Sequence, residues 1–292
     1  MKVILNLKSD FEEILINRMK EMNVIFDKKK NIILQYINVN RKLIKLNNKV
    51  VKVYNSPQIF TFYKYKEQIE NIKNFLLEGK DMRNFLSREA IIADKYDQML
   101  NLFNIYHFHL GAEFDLKKQY IKRTGDLLYV FFYEDIAYVL GVYPHGEWVR
   151  DKWFHIIHNN WKEITEKFKF FGASEADGRT EIDIETLRRS NINVPIKIGE
   201  ETYLPPGKAI TTSGCRIEDI KEHDRVLMIF EDIEKNFDEI LINNLSKERR
   251  LSLKDKELKF KLERISSDDK LYTGNTLHIV SSKENIDIQI KI

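Results

Sequence analysis

Apolar and polar residues follow two kinds of pattern along the chain. Apolar residues spaced three or four apart predict helices, and alternating or continuous short apolar runs predict strands. The predicted helices cover 9–22, where Ser9 and Glu12 form a capping box, and 66–77, 87–102, 148–168 and 216–245. The predicted strands are VILNL, KVVKVYN, IFTFYKY, IYHFHL, LLYVFFY, IAYVLGVY, the two in VPIKIGEETYLP, and IDIQIKI. Together these elements predict an α+β protein.

The runs LLYVFFY and IAYVLGVY are separated by an acidic dipeptide and predict an antiparallel hairpin with a buried face. The preceding run, IYHFHL, alternates as a short strand. Tyr106, Phe108 and Leu110 would point to one face, which we expect to be buried. His107 and His109 would share the opposite face, which we expect to line a cleft.

Composition divides the 292 residues into three predicted regions. Nine of the eleven glycines and four of the five prolines lie between residues 111 and 214, which indicates turns and short strands. We therefore expect a mixed α/β region over 1–104 and a hairpin region with helices, rich in His, Trp and Gly, over 105–245. A long helix closes that region, and a short β-rich segment follows over 246–292.

Other features of composition bear on location. The sequence contains no apolar run of about 18 residues, so we expect no transmembrane helix. Acidic residues appear early in MKVILNLKSDFEE, which does not fit a signal peptide. A single cysteine, Cys215, is typical of a reducing compartment. The sequence therefore predicts a cytoplasmic protein without a membrane partner.

Positive charge is concentrated near the start of the chain. The net charge is only +3, but the first 100 residues hold 19 basic and 12 acidic side chains. From Lys28 to Lys66 there are ten basic residues, no acidic residue and several interleaved aromatics, a pattern that favours nucleic-acid binding. The alternative is a solvated basic face with its aromatics in the core. The candidate phosphate contacts are Lys28, Lys29, Lys30, Arg41, Lys42 and Lys45.

Five of the seven histidines and all three tryptophans lie between residues 107 and 161. His107 and His109 share a strand face, and His145 follows the second hairpin strand in YPHGEW. On a predicted helix, His155 projects opposite the apolar stripe and His158 flanks it. Each histidine taken alone fits a structural role, but their common placement favours a site.

Two imidazoles beside a fixed cation are sufficient to cleave RNA without a metal. A base removes the 2′-hydroxyl proton, an acid protonates the leaving 5′-oxygen, and a cation stabilises charge on the phosphate. Histidine suits both proton transfers because its pKa lies near neutrality. We expect His107 or His109 as base, His145 as acid and Arg123 as the cation, with Lys122 as a secondary candidate.

The same segment resembles the RelE superfamily of mRNA-cleaving toxins. The resemblance rests on HFHLG, an Asp that opens LLYVFFY, the hairpin, and a His followed by an aromatic residue. The matching positions are His107, Gly111, Asp126 and His145, and Trp148 lies near the position of the terminal aromatic residue. It implies a RelE-like antiparallel hairpin region, a toxin-like endoribonuclease with RNA as substrate, a part in stress response or antiphage defence, and an antitoxin or immunity protein as partner.

The chain departs from the RelE pattern at three points. The motif leucine is displaced to Leu110, the 111–126 segment is longer, and Lys122-Arg123 replaces a histidine before the strand. The wider pattern of HFHLG, RTGDLL, HGEW, HIIHNNW and PPGK–TTSG resembles an uncharacterised bacterial protein family, which implies no activity.

Two other functions fit the sequence. His107 and His109 with His145, or with His155 or His158 in its place, would make a three-imidazole site for a divalent metal in a hydrolase or nuclease. The other function is a non-catalytic module that binds nucleic acid or protein and uses its histidines structurally. The metal-independent endoribonuclease, which needs no cofactor, is the main prediction.

Overall fold

The computed structural model describes residues 1–43, 51–115, 120–146, 150–171, 179–266 and 274–292, with the backbone alone at 60, 61, 114 and 115. Its α-helices are α1 (Leu7–Glu21), α2 (Ile32–Lys42), α3 (Lys66–Leu77), α4 (Gln98–Phe103), α5 (Lys152–Asn160), α6 (Lys162–Thr165), α7 (Glu181–Arg189), α8 (Ile217–Asn244) and α9 (Lys247–Ser252). Its strands are β1 (Lys2–Ile4), β2 (Lys52–Asn55), β3 (Ile105–His109), β4 (Phe114–Asp115), β5 (Tyr120–Ile121), β6 (Asp126–Tyr133), β7 (Ile136–Pro144), β8 (Ile196–Ile198), β9 (Glu201–Tyr203), β10 (Glu257–Lys259), β11 (Lys261–Ile265), β12 (Thr276–Ser281) and β13 (Ile286–Lys291). The predicted α+β class is confirmed, including the long helix and short strands near the C-terminus.

The chain forms two compact units. The first contains residues 1–36 and 218–292, and the second contains residues 37–217. These boundaries differ from the predicted regions 1–104, 105–245 and 246–292. The reason is that β1 pairs in parallel with β10, and α1 packs against β11, so both ends of the chain share the first unit.

The first unit contains an antiparallel sheet of order β11-β12-β13, and α1 packs against β11. The buried residues of α1 recur every four positions and so form one stripe, Leu7, Phe11, Leu15 and Met19. The ring of Phe11 meets Phe230 of α8 edge-on, with centroids 5.1 Å apart. The helix begins after Asn6, whose side chain accepts from the amide of Ser9. The predicted cap at Ser9 is therefore wrong by one turn.

The second unit is built on a four-stranded sheet of order β2-β7-β6-β3. The predicted hairpin of β6 and β7 is confirmed, and Glu134 makes its turn with a φ of 54°. β3 pairs antiparallel with β6 from Ile105 opposite Phe131 to His109 opposite Leu127. Helices α4 and α5 supply apolar side chains that cover one face of the sheet, which is its core face.

Two predicted elements of the second unit have a different local structure. IFTFYKY was predicted as a strand but forms 3₁₀ turns at Pro57–Thr61 and Tyr63–Tyr65. Pro57 stands in the first turn, where it fixes φ and cannot donate a ladder hydrogen bond. The helix predicted over 87–102 is a 3₁₀ turn at Arg88–Ile91 followed by a separate α4, which Asp97 caps.

The helix predicted over 148–168 is also interrupted. Trp161 leaves the helical conformation, with a φ of −145°, and its ring packs on Tyr138 at 4.8 Å between centroids. The helices predicted over 66–77 and 216–245 and the hairpin of β8 and β9 are confirmed. None of the helices in the described ranges is both long and apolar enough to cross a membrane.

Candidate functional site

The HFHLG segment occupies β3, an edge strand of the four-stranded sheet, and residues from both of its faces are buried. Phe108 and Leu110 are buried, as predicted. Tyr106 is only half-buried, and its hydroxyl donates to the Arg41 carbonyl at 2.7 Å. His107 and His109 are 7% and 5% exposed, so neither lies in an open cleft.

The histidines are buried because their face of β3 is the core face of the sheet. Ile105, two positions before His107, belongs to the apolar core. His107 lies opposite Tyr129, whose ring stacks on Trp153 with centroids 4.2 Å apart. The two histidines therefore stand on the core face of an edge strand, next to its aromatic rings. Strand periodicity correctly separated the two faces but could not show that both are covered.

A cavity of about 720 Å³ lies beside β3 in the second unit. His107 and His145 both line it, so two of the predicted catalytic histidines share one space. His109 does not line this cavity. The other charged residues that line it are Lys42, Glu89, Asp94, Lys95, Asp97 and Arg189.

Asp97 is the functional candidate that the sequence prediction missed. One of its oxygens accepts from the Leu100 amide at 3.1 Å and so caps α4. Its Oδ2 atom lies 3.8 Å from Nδ1 of His107, within ion-pair range. An Asp immediately before the apolar run QMLNLF is a helix-start signal. The sequence prediction placed Asp97 inside a continuous helix over 87–102, so this helix start was not identified.

Electrostatic effects connect three histidines and one arginine. Burial lowers the pKa of His107, the Asp97 carboxylate opposes this, and His145 lowers the pKa further. Burial also lowers the pKa of His109 to about 4, assisted by His107, Arg123 and His145. His109 is consequently neutral near pH 7. The Nδ1 atom of His109 has no hydrogen-bond partner among the described residues.

The loop before β6 brings Arg123 toward His109. Arg123 is exposed and forms no ion pair within the described part of the chain, whereas Lys122 pairs with Glu113 at 3.3 Å. Gly111 allows the backbone to pass close to Lys122, since a Cβ at position 111 would lie 2.0 Å from the Lys122 carbonyl oxygen. The glycine of HFHLG is thus required by a close backbone crossing.

Two further predicted residues make structural contacts. The Asp126 carboxylate accepts a hydrogen bond from the Tyr65 hydroxyl at 2.7 Å. The Nδ1 atom of His158 lies 2.9 Å from the Thr165 hydroxyl, which itself donates to the Lys162 carbonyl. This contact joins the side chain of His158 on α5 to α6.

The remaining two predicted residues lie outside the cavity or outside the described chain. His155 is half-buried on α5 and does not line the cavity. Trp148 lies outside the described residues. His155 therefore adds no group to the cavity that His107 and His145 share.

The basic stretch is divided between the two units. Lys28, Lys29 and Lys30 are exposed at a turn in the first unit. Arg41 belongs to the second unit, where it donates to Asn101 at 2.6 Å. Lys45 lies outside the described residues.

Lys42 is buried, and its ammonium donates to the carbonyls of Ile92 and Lys95 at 2.5 and 2.7 Å. Burial lowers the pKa of Lys42 to about 8. These properties differ from those of the solvated phosphate contact that was predicted. Lys42 is instead a cation built into the cavity wall.

Within the described ranges, no three His, Cys, Asp or Glu side chains are grouped so that they could hold a metal ion. Comparisons with family models, with curated proteins and with solved structures found no match to this chain.

Proposed function

We propose that the cavity of the second unit is the active site of a metal-independent endoribonuclease. The observation that supports this function is that His107 lies beside Asp97 in the wall of a cavity that His145 also lines. A carboxylate-supported imidazole and a second imidazole in one cavity are the groups required for general acid–base transfer.

In this proposal His107 is the base. Its lowered pKa keeps it neutral near pH 7, so its imidazole can accept the proton of an RNA 2′-hydroxyl. The 2′-oxygen attacks phosphorus and forms a 2′,3′-cyclic phosphate while the bond to the 5′-oxygen breaks. Asp97 stabilises the imidazolium that forms on His107. His145 gives its proton to the departing 5′-oxygen.

A cation would balance the charge that develops on the phosphate. We assign this role to Arg123, which acts electrostatically on the neighbouring His109. The cations of the cavity wall are already engaged: Lys42 donates to two carbonyls, and Lys95 and Arg189 pair with Glu89 and Glu185 at 2.6 and 2.7 Å. His109 does not line the cavity and its pKa is about 4, so we assign it a positioning role beside His107. This revises the sequence prediction, in which either strand histidine could be the base.

The RelE resemblance of HFHLG, the hairpin and His145 supports RNA as the substrate. It also supports a toxin-like role in the bacterial cytoplasm. In such a role an antitoxin or immunity protein would bind over the cavity and block RNA. Catalysis by His107, Asp97 and His145 does not require that partner.

Cleavage of a labelled RNA in EDTA by the purified full chain tests this function. His107→Ala and His145→Ala should each lower the rate by about 10²–10⁴-fold. His155→Ala is the matched control, because His155 is a half-buried histidine of the same unit outside the cavity. It should cleave at the wild-type rate.

Three results would contradict the proposal. Activity lost in EDTA and restored by a divalent metal would favour the metal-dependent enzyme. RNA binding without cleavage would favour the non-catalytic module. Equal losses in His155→Ala and His107→Ala would show that the effect is structural.

A further inference from the structure

The antiparallel sheet of the first unit has one covered edge and one open edge. At β11, the Leu262 amide donates to the Asp10 carboxylate of α1 at 2.9 Å, so a side chain satisfies part of that edge. β13 lies at the opposite edge of the sheet. Among the described residues, no strand pairs with the outer side of β13. An open strand edge is a place where another strand can add.

Hydrogen bonds to β12 show which backbone groups of β13 point outward. The amide of Ile292 donates to the Asn275 carbonyl at 2.9 Å, so the backbone of Ile292 bonds on the β12 side. Alternate residues of an antiparallel strand bond to the same neighbour, so the three isoleucines of β13 also bond to β12. The amides and carbonyls on the open side therefore belong to the residues between them, Asp287, Gln289 and Lys291.

These outward residues carry opposite charges placed symmetrically about Gln289. Asp287 lies two positions before it and Lys291 two positions after it, and all three residues are exposed. On β12, uncharged Val280 lies opposite Asp287 and uncharged Thr276 lies opposite Lys291. Asp287 and Lys291 are about 13 Å apart along the strand, which is too far for them to pair with each other. Neither has an ion-pair partner in the part of the chain that the structure describes.

We propose that β13 is the interface through which two copies of this chain pair, with the two strands antiparallel about a two-fold axis at Gln289. In this register Asp287 of each copy lies opposite the partner's Lys291, where opposite charges stabilise a strand pair. The outward amides and carbonyls bond across the axis, and two three-stranded sheets become one sheet of six strands. The interface lies in the first unit and shares no residue with the proposed active site.

The same register continues the apolar face of the sheet. Ile288 is 1% exposed, whereas Ile290 and Ile292 are half-buried. Pairing places Ile288 opposite the partner's Ile290 and Ile286 opposite the partner's Ile292, so the half-buried side chains gain β-branched neighbours. A slip of one residue would set Asp287 opposite the partner's Ile290 and turn the two apolar faces to opposite sides.

The charge pattern favours a second copy over a strand of another protein. A different partner strand would need a basic residue opposite Asp287 and an acidic residue opposite Lys291, four positions apart. A second copy supplies both by symmetry, because a two-fold interface presents the same residues on each side.

Sedimentation velocity of the full chain over a concentration series tests this interface. One strand per copy makes a small interface, so the wild type should associate reversibly, with a dissociation constant in the micromolar range. Asp287→Lys and Lys291→Asp should each raise that constant by roughly tenfold, since each variant sets two pairs of like charges opposite each other. Lys283→Asp, a reversal at an exposed lysine in the β12–β13 turn, is the matched control and should associate as the wild type does.

A mixture of the two reversed variants separates charge pairing from misfolding. In an equimolar mixture of Asp287→Lys and Lys291→Asp, the charges are opposite at both positions, so heterodimers should form with wild-type affinity. Both substitutions change exposed residues, and both variants should melt as the wild type does. A mixture that associates no better than the single variants would contradict the proposed register.

Amide hydrogen exchange tests the same register residue by residue. The amides of Asp287, Gln289 and Lys291 should become protected only as the dimer forms, whereas that of Ile288 is protected at every concentration because it bonds to β12. A wild type that stays monomeric up to about 1 mM would overturn the proposal. Charge-reversed variants that dimerise as the wild type does would also overturn it, because the dimer would then use another surface.

Discussion

The Nδ1 atom of His107 lies 3.8 Å from the Oδ2 atom of Asp97, and both residues line the cavity that contains His145. The contact joins a strand of the sheet to the N-terminus of α4. Burial lowers the pKa of His107, and the carboxylate of Asp97 acts in the opposite direction. The basicity of His107 therefore depends on Asp97.

We predict that Asp97→Asn moves the acidic limb of the pH profile of kcat/KM to lower pH and reduces the maximum. The carboxylate favours the protonated imidazole, so its removal lowers the pKa of His107 and makes it a weaker base. Asn caps helices about as well as Asp, so the thermal midpoint should hardly change. A wild-type pH profile in Asp97→Asn would show that Asp97 only caps α4.

A second prediction concerns acid stability and His109. The ordinary pKa of 6.5 applies to the unfolded chain, and the folded value is about 4. On acidification the unfolded state therefore binds a proton first, and stability is lost between about pH 6.5 and pH 4. The contribution is at most about 2 kcal/mol between about pH 8 and pH 5.

Urea unfolding of wild type and His109→Leu at about pH 8 and about pH 5 measures the contribution of His109 to stability. The variant should lose less stability on acidification, while the loss that comes from His107 remains. The measurement near pH 8 isolates the effect of packing, because histidine is then neutral in both states. An equal loss in both proteins would contradict the lowered pKa of His109.

A third prediction compares two glycines on either side of β4 and β5. Gly111→Ala would place a methyl group 2.0 Å from the Lys122 carbonyl oxygen, so the two backbone segments must separate. We expect a cost of about 1–3 kcal/mol in the free energy of unfolding and reduced cleavage, since Arg123 follows that carbonyl. Gly125→Ala meets nothing within 4 Å and should change stability by less than about 1 kcal/mol. Equal stabilities of the two variants would contradict the close crossing.

The basic stretch can be tested only at its exposed part. Simultaneous Lys28→Glu, Lys29→Glu and Lys30→Glu substitutions should leave the fold intact, because all three residues are exposed. If these lysines contact phosphates, the triple variant should bind oligonucleotides more weakly and with a flatter salt dependence. Unchanged affinity and slope in the triple variant would identify a solvated face.

Lys42→Glu should instead unfold the second unit. It buries a carboxylate against two carbonyl oxygens, at a cost of about 3–5 kcal/mol. Thermal melting measures this cost, and a wild-type midpoint would contradict the buried placement of Lys42. Loss of binding in this variant would report unfolding rather than a lost phosphate contact.

Local patterns predicted the hairpin, the long helix α8 and the alternation of β3, because each depends on the spacing of apolar residues within one segment. The two faces of β3 are covered by α5 and by residues near Arg41. Both of these segments are distant from β3 in sequence. Periodicity separated the face of His107 from that of Phe108 correctly. It could not show that both faces are buried.

Only part of the candidate site could be predicted, because sequence patterns do not show which distant residues become neighbours. The cluster of histidines in the sequence indicated His107 and His145, which do share a cavity. Asp97 was missed because its role follows from where α4 begins, and a continuous apolar pattern obscured that boundary. Lys42 belonged to a basic run, but charge patterning could not show that its ammonium would be buried against carbonyls.

The most direct test of the proposed mechanism uses an RNA that contains one 2′-deoxynucleotide. In EDTA, the wild-type protein should cleave the normal linkages to products that end in 2′,3′-cyclic phosphate and should leave the linkage after the deoxynucleotide intact. His107→Ala should lose cleavage at every linkage, because the attacking hydroxyl then has no base. Cleavage after the deoxynucleotide, or products without the cyclic phosphate, would contradict the assignment of His107 and His145 as base and acid.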